Sequence, residues 1–206
     1  MTMKKKKTSS IQAPGGENTV LLHTCCAPCS SAIIEALMKN GITPVIYYCN
    51  PNIYPFEEYE IRKNECTRYA QSLGLEIVDA DYDHDQWLTS VSGLEDEPER
   101  GGRCLKCFKL RLLRTAEYAL ERGIKAITTT LASSRWKSLD QINEAGFWAC
   151  NEINKTLPDD SDKVIVWWDR NWRKDGLQER RLEIIKEYDF YNQLYCGCEF
   201  SMRKPD

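Results

Sequence analysis

The stretch Thr19–Ser30, TVLLHTCCAPCS, sets the fold class. Thr19 to Thr24 is a short run of apolar and β-branched residues, which reads as a strand. After the thiol-bearing turn a helix is expected from about Ser30 to Lys39, closed by Asn40 and Gly41 as a C-cap. Strand, turn and helix in that order open a βαβ unit, and the same alternation continues downstream.

Pro44 to Cys49 (PVIYYC) reads as a second strand, ending in Asn50, Pro51, Asn52 and Pro55, which break it. A helix from Glu57 to Leu73 carries Tyr59, Cys66, Tyr69, Ala70 and Leu73 on one face and stops at Gly74. Leu75 to Ala80 is a third strand, and an acidic loop follows from about Ser92 to Gly102. The next helix has Leu105, Phe108, Leu112, Ala116 and Leu120 at spacings of three and four, and ends at Gly123. Strands over Ala126–Leu131 and Lys163–Trp168, with a helix near Leu139–Ile153 between them and a last helix over Leu177–Tyr188, complete the pattern. The expected fold is α/β, a Rossmann-like parallel sheet with helices on both faces. Such sheets bind ligands beyond the carboxyl ends of their strands. That rule collects Cys25, Cys26, Asn50, Asp81, Asp83, Ser133, Ser134 and Asp169 on one rim.

The 206 residues suit a single domain, expected over residues 18–206 with a Cys-bearing tail, after a disordered leader over residues 1–17. Hydrophobic residues at 42% and charged residues at 29% are a globular composition, which excludes a disordered chain. No apolar run approaches a membrane span, so no membrane partner is expected. No apolar segment follows Lys4–Lys7, so no export signal is expected and the chain reads as cytoplasmic. A net charge of -3 excludes a wholesale polyanion binder but leaves room for a local basic face.

Ten cysteines are too many for background and too sparse for a small disulfide scaffold. Cys66 and Cys150 fall on apolar helix faces and read as packing thiols; Cys49, ending a strand near the rim, reads so less firmly. Cys25, Cys26 and Cys29 follow the first strand, while Cys104 and Cys107 form a CxxC at a helix start. Free N–H groups there favour thiolate charge. Four thiolates from the CC and CxxC pairs suit a tetrahedral zinc or an iron–sulfur cluster, and spacing does not choose between them. Arg103, Lys106, Lys109, Arg111 and Arg114 crowd the second pair, either to offset an anionic cluster or as a solvated helix face. Cys196-Gly-Cys198 reads as a redox-active dithiol, a metal-binding pair or a plain turn.

HTCCAPCS, GGRCLKCF, TTTLASSRWKS and the segment from WRKDG to EIIKEYDFYNQLYCGCEFS together resemble the QueH-type epoxyqueuosine reductases over nearly the whole chain after the leader. The resemblance implies an adenine-nucleotide α-hydrolase-like fold. It implies reduction of the epoxide of epoxyqueuosine to queuosine at the anticodon wobble position of tRNA, the last step of queuosine biosynthesis. It further implies a [4Fe-4S] cluster on Cys25, Cys26, Cys104 and Cys107 and a redox-active Cys196–Cys198 disulfide. Cys29 is an extra thiol beside the first pair, available for one additional metal ion, iron or zinc. Partners are then a tRNA bearing epoxyqueuosine and an unidentified electron donor.

Removing an epoxide oxygen as water also needs a general acid, for which Asp83, His84 and Asp169 are rim candidates. Arg170, Arg173, Lys174, Arg180, Arg181 and Lys186, with Trp167, Trp168 and Trp172 alongside, form a candidate RNA face. Two other readings compete. A PP-loop-like tRNA-modifying enzyme would need a Gly/Ser phosphate loop after the first strand, where thiols stand instead. A zinc-binding, non-catalytic RNA adaptor needs only the thiols.

Overall fold

The most apolar strand takes the centre of the sheet. In β1 (Thr19–His23) Val20, Leu21 and Leu22 are wholly buried, as expected of a strand covered on both faces. The computed structural model describes residues 10–202. β1 pairs in parallel with β2 (Thr43–Tyr48) on one side and β4 (Ala126–Thr129) on the other, so Leu21 stands beside both Val45 and Ile127. β3 (Ile77–Asp79) extends the sheet beyond β2, and β5 (Val166–Trp167) beyond β4. The order is β3-β2-β1-β4-β5, all parallel.

Right-handed crossovers decide which face each helix covers. α1 (Ala27–Lys39) and α2 (Phe56–Ser72) follow strands laid down in one direction, and α6 (Leu177–Glu187) packs on α1. After β3 the chain turns back through α3 (His84–Val91) and α4 (Gly102–Arg122), which covers β1 and β4 from the other face with α5 (Leu139–Asn154) alongside. α4 buries Phe108, Leu112, Ala116 and Ala119 as a stripe and ends at Gly123, whose φ of 67° suits a residue without a side chain. Gly146 serves packing instead, because a Cβ there would stand 2.2 Å from the Trp167 ring. Its absence lets α5 lie directly on β5.

The parallel architecture read from the sequence is present, with differences at its edges. α1 begins at Ala27, not Ser30, because Pro28 fits a first helical turn whose N–H groups are unpaired anyway. Cys26 thereby becomes the extended N-cap, and Cys29 moves into the first turn. The strand expected over Lys163–Trp168 shortens to two residues, with Val164 and Val166 exposed at the sheet edge. α3 had no counterpart in the sequence reading, although Asp83 caps it by accepting from the Gln86 N–H. The expected leader over residues 1–17 lies outside the described residues up to Ser9. From Ser10 it is placed, with Ile11 and Ala13 buried in the core and Pro14–Gly16 forming a single 3-10 turn. The Ile11 N–H donates to Asn40 Oδ1 at 3.0 Å, so this stretch is not a free leader.

Candidate metal and thiol centre

Strand order reverses between β1 and β4, and the loops leaving their carboxyl ends diverge to open a crevice. Cys25 and Cys26 come from the end of β1, and Cys29 from the first turn of α1. Their three sulfurs all lie within 4.8 Å of one another, with Cys25 and Cys26 at 3.8 Å. From the β4 side the Thr130 hydroxyl donates to Cys25 Sγ at 3.3 Å, and the Cys25 N–H donates to Thr130 Oγ1 at 3.2 Å. Gln193 in the C-terminal tail donates to Cys26 Sγ at 3.0 Å.

The three thiols hold their protons unequally. The Cys26 and Cys29 thiols donate to Cys25 and hold it well below the ordinary thiol range, against its burial and helped by Thr130 and Arg111. Cys26 is correspondingly pushed well above that range and Cys29 up to about 12, in both cases chiefly by Cys25. A thiophilic metal replaces such shared protons when thiols become ligands. The donor set therefore fits a metal ion held by Cys25, Cys26 and Cys29.

Cys104 and Cys107 stand one helical turn apart at the start of α4. They line a small cavity together with Cys196, Cys198, Trp87 and Phe108. The Arg100 N–H donates to Cys104 Sγ at 3.3 Å, while burial pushes the Cys104 thiol up. Between the two thiol groups runs the buried Arg111 side chain. Its Nε donates to the Cys49 carbonyl at 3.1 Å, one terminal nitrogen donates to Asn50 Oδ1, and the other lies 3.9 Å from Cys107 Sγ. Among the described residues, then, Cys25 and Cys26 converge with Cys29, and the CxxC pair converges with the CGC pair. Arg111 is the charged bridge, its cation stabilised by Cys107, Cys25, Cys49 and Cys196 once burial has been overcome.

Cys196 and Cys198 are both free thiols. The turn between them requires glycine: Gly197 has a φ of 108°, and a Cβ there would sit 2.9 Å from Ile53 Cγ1. The buried Arg62 donates to the carbonyls of Cys196 at 3.2 Å and Tyr195 at 3.3 Å, and the Tyr54 N–H donates to the Gly197 carbonyl at 2.8 Å. The two thiols differ in environment. Burial pushes both up, Cys198 to about 11, but Lys137 donates to Cys196 Sγ at 2.9 Å and its charge brings Cys196 below the ordinary range. Metal-free, reduced protein is therefore expected to alkylate at Cys196 before Cys198 at neutral pH. Lys137→Met should move the pH midpoint of Cys196 alkylation upward, past that of a free thiol. An unchanged midpoint, read by peptide mass spectrometry across a pH series, would remove Lys137 from this role.

The remaining candidates sort by contact. Cys49, Cys66 and Cys150 are buried packing thiols. Buried His23 is neutral, lowered to about 3 by burial and then by Arg111; its Nε2–H donates to the Cys49 carbonyl, and Thr129 Oγ1 donates to Nδ1. Asp83 is a helix cap paired with Arg114, and Asp169 is exposed. His84 donates through Nδ1 to the Pro51 carbonyl at 2.7 Å and faces Glu199 Oε1 at 3.1 Å, tying the tail to α3. Of the five cations near the CxxC pair, Arg111 reaches a sulfur of that pair, Cys107; Arg103 donates to the carbonyls of Leu94, Glu95 and Glu97. The aromatic part of the candidate RNA face is corrected here, because Trp167, Trp168 and Trp172 are buried and Trp172 donates to Thr128 Oγ1 at 3.0 Å. Apolar burial of a tryptophan outweighs its use at a surface when a sheet edge needs covering. Thr130, Gln193, Lys137 and Arg62 escaped the sequence reading, although Thr130 and Lys137 lie in TTTLASSRWKS and Gln193 in EIIKEYDFYNQLYCGCEFS, motifs already singled out; Arg62 lies in none of them.

These features define a class: a Rossmann-like α/β protein whose switch point carries thiols able to hold a metal ion, where a nucleotide-binding relative would carry a phosphate loop. The family model described as epoxyqueuosine reductase QueH matches residues 20–204. The chain is 47% identical to epoxyqueuosine reductase QueH of Histophilus somni over 193 residues, which is 94% of this chain and 76% of that protein. It is 46% identical to that of Haemophilus influenzae (94% and 75%) and 44% identical to that of Acinetobacter baylyi (96% and 87%). The chain belongs to the epoxyqueuosine reductase QueH family.

Proposed function

We propose that this chain is an oxidoreductase that reduces the epoxide of epoxyqueuosine to queuosine at the wobble position of tRNA, in the cytoplasm. The observation that carries the reading is the convergence of three thiols at the switch point beside a second cavity lined by four more, in a chain of this family. No described helix is long and apolar enough to cross a membrane. Cys25, Cys26, Cys104 and Cys107 would hold a [4Fe-4S] cluster. When bound, the cluster supplies single electrons and a Lewis-acidic metal. Cys29, within 4.8 Å of Cys25 and Cys26, would help hold one additional iron or zinc.

The residues of the chain divide the remaining work. Deoxygenating an epoxide to an alkene takes two electrons and two protons and releases water. Oxidation of the Cys196–Cys198 dithiol to a disulfide yields that same pair of electrons and protons, and a cellular thiol or redox protein must then restore the dithiol. Cys196, the more acidic thiol, starts this exchange from the thiolate. Lys137 holds that charge, and the Cys196 thiolate in turn keeps the Lys137 ammonium protonated against its burial. Arg111 balances the negative charge shared between the two thiol groups.

The compact Cys25–Cys26–Cys29 group also suits one tetrahedral zinc, which keeps the zinc-binding RNA adaptor as the second reading. Anaerobic purification separates the two. A brown protein with visible cluster absorbance and matching iron and sulfide content is expected. A colourless protein holding one zinc would overturn the reductase reading in favour of the adaptor.

A further inference from the structure

Lys137 reaches the thiols from a loop, residues 134–138, whose outer surface carries an exposed aromatic ring. Trp136 within it is 65% exposed, an unusual position for so large an apolar ring. The Arg135 guanidinium lies 4.9 Å from the ring centroid and covers one face of the indole. Two arginines from elsewhere hold the loop in this shape. Arg100 donates to the carbonyls of Trp136 at 3.0 Å and Arg135 at 3.1 Å, and Arg173 donates to that of Lys137 at 2.8 Å. Arg100 does so from a φ of 68°, a left-handed conformation unfavourable for a residue that bears a side chain. Gln141 fixes that turn by donating to the carbonyls of Arg100 and Gly101.

The charge here is also unbalanced. Among the described residues, Arg100, Arg135 and Arg173 form no ion pair with a carboxylate, whereas Lys137 is turned inward to Cys196. Arg170, by contrast, is paired with Asp175, and Arg180 with Glu35, Glu183 and Glu187. Each guanidinium has five N–H donors and these contacts use only some of them. An open aromatic face ringed by unpaired cations matches an unpaired nucleic-acid base and its flanking phosphates. A duplex would present no base face to it. The platform is one residue from Lys137, so a base stacked there neighbours whatever nucleotide reaches Cys196.

We propose that Trp136, backed by Arg135, is a stacking platform for an unpaired base of the RNA substrate next to the reacting nucleotide, with Arg100 and Arg173 facing its phosphates. This rests on the tRNA reading above and names the surface that receives the loop. The test is fluorescence anisotropy with a synthetic anticodon stem–loop RNA, using the full-length protein and its Trp136→Ala and Trp136→Phe variants. Trp136→Ala is expected to weaken binding about tenfold or more, Trp136→Phe to retain most of it, and a fully paired RNA of equal length to bind weakly and indifferently to either change. Thermal unfolding of the variants, whose side chain is exposed, should match the unsubstituted protein. Equal binding by the unsubstituted protein and Trp136→Ala overturns the platform. Failure of the unsubstituted protein to bind the stem–loop overturns the tRNA reading itself, and the platform with it.

Discussion

Arg111→Met is expected to destabilise the protein by several kcal/mol and to lower the metal content that the proposed thiol ligation predicts. The guanidinium is buried and serves three acceptors: the Cys49 carbonyl and Asn50 Oδ1 in the loop after β2, and Cys107 Sγ one turn back in α4 itself. A buried acceptor left unpaired costs roughly 1–3 kcal/mol. His23 still donates to the Cys49 carbonyl, so the main orphan is Asn50, which also anchors the β1 turn by donating to the Thr24 carbonyl at 2.9 Å. Removing the cation also takes away the charge that favours thiolates at Cys25 and Cys196. Arg111→Lys would restore charge but not the planar fork, and should recover metal content more than stability. Urea denaturation and metal analysis of the two variants check this; a Met variant as stable and as metal-rich as the parent would refute it.

Arg62→Met should be nearly as costly, for a different reason. Arg62 and Glu58 form a buried pair at 2.6 Å, with side chains 2% and 10% exposed. Removing one member of such a pair costs about 3–5 kcal/mol because the other charge stays buried alone. Tyr191 donates to Glu58 as well, at 2.8 Å, so Glu58→Gln keeps an acceptor for it. The double variant Glu58→Gln with Arg62→Met is therefore expected to recover much of the loss in denaturant titrations. Both variants should still share one defect: the Tyr195 and Cys196 carbonyls lose their donor, so the Cys-Gly-Cys turn loosens and its thiols alkylate faster. A double variant no better than the single one would show that Arg62 matters as packing, not as a charge.

Much of this architecture was legible in local pattern. Strand and helix alternation needs only periodicity, and parallel strands buried on both faces write themselves as apolar runs such as VLLH and VIYY. Edges were less legible because neighbours decide them. β5 shrank to two residues, Val166–Trp167, since an edge strand has one partner, and Pro28 drew the start of α1 back to Ala27. The tryptophans near residue 170 illustrate the limit. An aromatic beside basic residues has the same local sequence whether it faces RNA or a sheet edge, and Trp172 faces the core while Trp136 faces solvent.

By itself the sequence determined that this is a parallel α/β protein, that its thiols follow the first strand and open a helix, and that a phosphate loop is missing from that place. Those are consequences of residue type and spacing, which the chain carries wherever it folds. Tertiary structure alone decided which thiols meet. Cys29 joins Cys25 and Cys26 because the helix begins at Ala27, and Cys196 comes to Cys104, Cys107 and Lys137 only because the tail returns across the sheet, held by Arg62 and His84. Contacts between residues 59 to 167 positions apart leave no periodic trace, since they depend on how separate elements are brought together and not on the local preferences of either.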